Sequence, residues 1–232
     1  MSSALDVTRI VAIRHGETDW NVDTRIQGGL DIPLNATGRQ QAARMAQALR
    51  HEPITAIYSS DLARAWETAQ YLGDALGLPV TPDAGLRERG FGHFEGKTFA
   101  EIEALLPDQA LRWRMREPDF APSGGEALEA LRIRVIAAAQ QRAEQHPGEL
   151  VALVAHGGVM DVLYRAATHL PIQAPRTWSL SNAAINRLLW TPRVFNLVGW
   201  GDTQHLDSDA LDDGLASATA VAAGHFFQAA RA

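Results

Sequence analysis

The chain alternates short apolar runs with longer amphipathic stretches. "RIVAIR" (9–14), "AIYSS" (56–60) and "LVALVAH" (150–156) are rich in β-formers, and each runs into a polar or glycine turn. That is the pattern of buried strands. Between them the apolar period lengthens. "TGRQQAARMAQALRHE" (37–52) puts Ala42, Met45, Ala46 and Leu49 on one helical face, with Thr37 as the expected N-cap. "SDLARAWETAQYLGDALG" (60–77) repeats the pattern, with Ser60 or Asp61 as cap and Gly77 as stop. Helices are also predicted over 124–145 and over 157–170, the latter starting directly after the third strand. "AAINRLLW" (183–190) and "VFNLVGW" (194–200) flank "TPR", where Pro192 marks a turn, so they read as a hairpin at a sheet edge. Strands alternating with helices indicate an α/β fold with a mainly parallel sheet.

The stretch 79–125 breaks the rhythm. Repeated Pro and Gly surround short helical pieces such as "FAEIEALL" (99–106), and the segment reads as a lid over the sheet. The alanine-rich tail, about 208–232, reads as a helix docked loosely or exchanged with a partner. One domain over 1–232 is expected.

Composition narrows the function. The chain has 232 residues, 46% of them hydrophobic, enough for a sizeable core, and a formal net charge of −6. An acidic chain argues against non-specific nucleic-acid binding. It has no cysteine, which removes disulfide and thiolate chemistry. No apolar run approaches membrane-spanning length, and "MSSALDVTR" has no basic-then-apolar segment, so a cytoplasmic protein without membrane contact is expected. Lys97 is the only lysine. Arginine is this chain's default cation, and an isolated arginine is weak evidence of function.

Candidate chemistry gathers at strand ends. In open parallel sheets ligands bind at the carboxyl edge. Arg14 and His15 leave the first strand there, "SSDLAR" with Arg64 leaves the second, and His156-Gly157-Gly158 leaves the third. Arginines suit a phosphoryl group because each offers two parallel hydrogen bonds and stays charged. Neutral imidazole is a nucleophile, and neighbouring cations keep it neutral. A phosphohistidine intermediate follows, with the second histidine stabilising charge on the transferring oxygens. The leaving alkoxide needs a proton from a carboxylic acid. Glu88 in "LRERGFG" is the candidate and Glu95 in "HFEGKT" its rival, the bland alternative for Glu88 being a surface ion pair with Arg87 or Arg89. The remaining histidines lack a matching context, and "RWRMR" (112–116) reads as a solvated helix face. Arg14 beside His15 disfavours a metal site.

"RHGETDWN" (14–21) resembles the signature of the histidine phosphatase superfamily, the phosphoglycerate mutase-like proteins. The likeness continues through "RIQGGLDIPLNATGRQQA" (25–42), "SSDLARAWETA" (59–69), "LRERGFGHFEGKT" (86–98), "SGGEALEAL" (123–131), "VAHGGVM" (154–160) and "GDTQHL" (201–206). It implies a three-layer α/β/α sandwich, with His15 as the phosphorylated histidine. Arg14, Arg64 and His156 would complete the phosphate pocket, and Glu88 would be the proton donor. Asn21, Gln27 and the Gly157 N–H would contact phosphate or substrate, and no metal would be needed. True mutases carry an asparagine and a lysine where "FGHFEGKTF" has Thr98 and Phe99, so the resemblance is to the phosphatase branch. The expected function is hydrolysis of a small phosphate monoester without a cofactor. The alternatives are a mutase primed by 2,3-bisphosphoglycerate and a non-catalytic phospho-ligand binding module. The edge hairpin offers a surface for a homodimer.

Overall fold

The structure, a computed structural model, describes residues 7–207. The expected C-terminal tail helix lies outside the described residues. The elements run β1 (Thr8–Arg14), α1 (Asp19–Val22), α2 (Ala36–Leu49), β2 (Ile54–Ser59), α3 (Ala63–Leu76), β3 (Val80–Pro82), α4 (Phe99–Leu105) and α5 (Pro107–Arg114). They continue with α6 (Leu128–Glu144), β4 (Leu150–Ala155), α7 (Gly157–Thr168), β5 (Ile185–Thr191) and β6 (Val194–Asp202). The six strands form one sheet in the order β3-β2-β4-β1-β5-β6. The β1, β2, β3 and β4 pairings are parallel, and β5 and β6 add an antiparallel hairpin at one edge, turned at Pro192 and Arg193.

Alternation along β1 divides the core between two faces. Ile10 and Ala12 pack with Leu131 and Val135 of α6 and with Val159 and Leu163 of α7. Val11 and Ile13 face the other way, onto Met45 and Leu49 of α2 and Ala65 and Leu72 of α3. Helices therefore cover both faces, which is why every residue of the central strand β4 is buried and why it reads as an unbroken apolar run. The expected three-layer sandwich is the observed one.

Three local expectations need correction. The helix predicted from Thr37 is capped by Asn35, whose side chain accepts the Gly38 N–H. Neither Ser60 nor Asp61 caps α3. Its N-cap position is Leu62, and the Ala63 N–H donates instead to Asp31 across the loop (2.6 Å). The stretch 79–125 is not all lid: Val80–Pro82 pair with β2 as the outermost parallel strand. Beyond it the lid has its own small core of Phe94, Ile102, Ala110 and Phe120, with Phe91, Phe99 and Trp113 against it. Met115 stands outside this core, 61% exposed.

The loop after β1 is clamped onto the helical layer. The Gly16 N–H donates to Thr68 of α3 and the Glu17 N–H to Gln41 of α2. A side chain at Gly38 would overlap the Glu17 backbone, and one at Gly16 would overlap Gly38. Two backbones meet there without room for a Cβ. Gly38→Ala is therefore expected to destabilise the protein by about 1–3 kcal/mol, the usual cost of overpacking, against the gain that alanine brings to an ordinary helix. Urea unfolding reads this, and a stability equal to or above wild type would refute the close approach.

Candidate active site

The parallel register sets the carboxyl edge. Arg14 of β1 lies opposite Ala155 of β4, and Ser59 of β2 opposite Val154. The next residues stay tied to the sheet, with His15 N donating to Ala155 O (2.9 Å) and Ser60 N to Val154 O (3.0 Å). His15, Ser60 and His156 consequently stand side by side. The two imidazole centroids are 5.2 Å apart, and both rings are buried.

A hydrogen bond assigns the ring nitrogens of His15. His15 Nδ1 lies 2.7 Å from the Gly16 carbonyl, which can only accept, so Nδ1 carries the proton and Nε2 the lone pair. His156 Nε2 meets Ser60 Oγ at 2.8 Å. Ser60 Oγ also accepts the Leu62 N–H. The other ring nitrogen of His156, Nδ1, is buried and has no protein partner. Burial holds the pKa of both histidines well below 6.5, with the charges of Arg14 and Arg64 acting in the same direction. Loss of solvent, more than the neighbouring cations expected to do so, keeps His15 neutral.

Arg64 projects from the first turn of α3, 1% exposed, and donates to the carbonyls of Leu30 (2.8 Å) and Gly28 (2.9 Å). Arg14 donates to the Leu180 carbonyl. The Nε atoms of both are buried without partners. Among the described residues neither arginine forms a salt bridge. Burial lowers the pKa of both, Arg14 to about 10. Glu88 is not the surface ion-pair residue of the bland alternative. Its carboxylate accepts the Gly158 N–H through both oxygens (3.1 Å each) and its neighbour's Arg89 N–H (2.8 Å). A side chain at Gly158 would occupy the carboxylate's place. Arg87 pairs with Asp61 instead. The rival Glu95 accepts the Gly29 and Phe91 N–H groups and so ties two loops together.

Arg14, His15, Arg64 and Glu88 line a cleft of two chambers, and His156 lies fully buried beside His15. The inner one, about 160 Å³, is walled by Arg14, His15, Asn21, Gln27, Arg64 and Glu88, among others. The outer one, about 420 Å³, shares Arg14, Glu88 and Phe91 with it and extends past Gly157 and Gly158 toward the lid. Gly157 stands beside Arg14, where a Cβ would lie 3.6 Å from Nε. Asn21 spends its side-chain oxygen on Thr18 and Asn182. The Gln27 Oε1 is buried and unpartnered.

Sequence reasoning missed Ser60 as the partner of His156, and Asn182, whose amide donates to the His15 carbonyl (3.0 Å). It also set aside Arg116. Arg112 and Arg114 do pair with Glu117 and Glu103 at the surface, but Arg116 has positive φ (54°) and turns into the outer chamber. None of these carries a local signal, because each acquires its partner only on folding.

Residues 10–203 match the histidine phosphatase superfamily (branch 1). The chain is 39% identical over 215 residues to phosphoglycerate mutase-like protein 4 of Arabidopsis thaliana, covering 89% of this chain and 90% of that one. It is 37% identical over 220 residues to the glucosyl-3-phosphoglycerate phosphatase of Mycobacterium tuberculosis, covering 88% and 98%. Among solved structures, Bacillus stearothermophilus YhfR superposes with a TM-score of 0.79 at 33% identity, over 86% of this chain and 100% of that one. With its whole sheet, both flanking layers and all but the ends of its sequence inside that likeness, the chain belongs to branch 1 of the histidine phosphatase superfamily and is an enzyme of the phosphatase or mutase-like kind.

Proposed function

We propose that the chain hydrolyses a small phosphate monoester in two steps through a phosphohistidine on His15. The observation that carries this reading is the free Nε2 lone pair of a neutral, buried imidazole beside two guanidiniums that lack carboxylate partners. The phosphoryl dianion sits in the inner chamber between Arg14, Arg64 and His156. His15 Nε2 attacks phosphorus, the ester P–O bond breaks, and Glu88 gives its proton to the departing oxygen. In the second step Glu88 takes a proton from water as the water oxygen attacks phosphorus. The N–P bond breaks, phosphate leaves, and His15 and Glu88 return to their starting states. Asn21, Gln27 and the Gly157 N–H border the same path. No metal or cofactor enters these steps.

Hydrolysis is favoured over mutase chemistry by what Thr98 and Phe99 do. Thr98 caps α4 in a capping box with Glu101, and Phe99 packs 5.4 Å from the Trp113 ring. Neither supplies the polar pair that a mutase brings to that place. A 2,3-bisphosphoglycerate requirement is correspondingly not part of the proposal. A cytoplasmic setting is proposed on composition. Among the described residues no helix is long and apolar enough to cross a membrane. A homodimer is proposed along the edge strand β6, where Val194 and Val198 are exposed.

His15→Ala is expected to lower release of phosphate from p-nitrophenyl phosphate by at least about 10³-fold while the circular dichroism spectrum is unchanged. Retained turnover would end the assignment. Ser60→Ala is expected to cost about 10- to 100-fold in kcat with a smaller change in KM, because Ser60 orients His156 for the transition state. A change confined to KM would count against that role. The histidine pKa values also predict a pH dependence of stability. Below about pH 6.5 the unfolded chain binds protons that buried His15 and His156 refuse, so stability is full above that value and falls as pH falls. Urea midpoints measured downward from pH 6.5 should decline less steeply in His156→Asn than in wild type, and identical slopes would exclude His156 as a source.

A further inference from the structure

Glu88 stands on the stretch between β3 and the lid, whose only regular piece before Glu88 is one 3-10 turn at Ala84–Leu86. One face of α6 grips that stretch at three points. Arg134, Ala138 and Arg142 are spaced four apart and so share a stripe of the helix. Arg142 Nε donates to the Asp83 carboxylate (2.7 Å). Gly85 lies so close that a Cβ on it would be 2.6 Å from the Ala138 Cβ. Arg134 Nη1 donates to the carbonyls of Gly85 and Arg87 (3.0 Å each), and Nη2 reaches that of Glu88 (3.5 Å). Arg134 thus holds the two peptide carbonyls that flank the Glu88 Cα.

Glu126, just before α6, completes the cradle. Its N–H donates to the Gly90 carbonyl (2.7 Å), and its own carbonyl accepts from Arg89 Nε (2.9 Å). Its carboxylate meets Arg134 with two bonds, Oε1 to Nε (3.0 Å) and Oε2 to Nη2 (2.7 Å). Paired bonds of this kind fix the plane of a guanidinium. Every one of the five N–H donors of Arg134 is then engaged, two on Glu126 and three on the loop. A pair that served only the helix would need no such reach. Arg132–Glu129 on the same helix is such a pair, with side chains 44% and 32% exposed against 27% and 21% for Arg134 and Glu126. Glu126 also neutralises Arg134. The guanidinium meets the loop as a fixed fork of donors, whereas a free cation there would favour a carboxylate over the acid that has to give up a proton.

Glu88 is therefore tied at both ends, its backbone to α6 through Arg134 and its carboxylate to the first turn of α7 through the Gly158 N–H. Between these ties the carboxylate borders both chambers. We infer that Arg134 is the positioning residue for Glu88: it holds the loop on α6 so that the carboxyl group stays at the junction of the chambers, and it acts on departure of the leaving group and not on binding of phosphate. The inference rests on the phosphatase reading and adds to it the residue that orients its acid.

The test uses two esters of nearly the same shape, phenyl phosphate and p-nitrophenyl phosphate. Both would form the same phosphohistidine, but phenolate is much the stronger base and depends more on a proton from the acid. The kcat/KM of each covers the step in which the leaving group departs. Arg134→Met is expected to lower kcat/KM for phenyl phosphate by about 10- to 100-fold and for p-nitrophenyl phosphate by less than about 3-fold, because a misplaced acid matters most where the leaving group needs it. Arg134→Lys keeps the charge without the planar fork and is expected to recover only part of the phenyl phosphate loss. Urea midpoints of both variants record any loss of stability separately. An ion pair that served the fold alone would slow both esters by the same factor. Equal losses on the two esters in Arg134→Met, or no loss on either, overturns the inference and leaves the phosphatase reading standing. Full recovery by lysine assigns the effect to charge and overturns it as well. A wild type that hydrolyses neither ester removes the phosphatase reading itself.

Discussion

Arg14 and Arg64 are cations taken out of water without a carboxylate to receive them. Backbone carbonyls of Leu180, Gly28 and Leu30 supply some of their hydrogen bonds, and each Nε has none. A carbonyl dipole offsets only part of what a guanidinium loses on burial. In the proposed mechanism the remainder is recovered when the phosphoryl anion enters. Burial, with these charges acting in the same direction, keeps the neighbouring imidazoles neutral, the state that the proposed attack on a phosphoryl group requires.

Such an arrangement is tolerable only where the backbone around it is rigid. The His15 loop is pinned by Thr68 and Gln41 and fits against Gly38 with no space for a side chain. Glu88, the proposed proton donor, is anchored on the Gly158 amide where α7 begins. Ser60 answers to β2 through its backbone and to His156 through its hydroxyl. Each reacting group thus takes its orientation from regular structure, which suits a reaction that depends on in-line placement.

The two chambers divide the labour. The inner one is built from strand ends and the first turn of α3, elements tied directly to the sheet. The outer one is closed by the lid and by the loop carrying Arg176, elements with fewer ties to the core. Loop side chains around the second can change without disturbing the sheet, whereas those of the first cannot.

The sheet, its mainly parallel sense, the covering helices and the convergence of His15, Arg64 and His156 were legible in sequence. They depend on apolar periodicity and on strand ends, both local properties. Arg116 leaves the expected solvated helix face because its own positive φ, just after α5, redirects a side chain that the helical period would place outward. Strand β3 escaped notice because three residues beside a proline carry no period at all. Ser60 reads as a helix cap until the fold brings His156 within 2.8 Å. Glu88 could be preferred to Glu95 only through resemblance, whereas the structure separates them by partner: one lines the cleft on the Gly158 amide, the other closes a loop. The sequence by itself determined which residue types would meet at the sheet edge, because strand order and turn position are written in local pattern. The pairing of His156 with Ser60, the anchor of Glu88 on Gly158 and the turn of Arg116 onto Asp161 were decided by tertiary structure alone, because each depends on an atom whose partner lies far away along the chain.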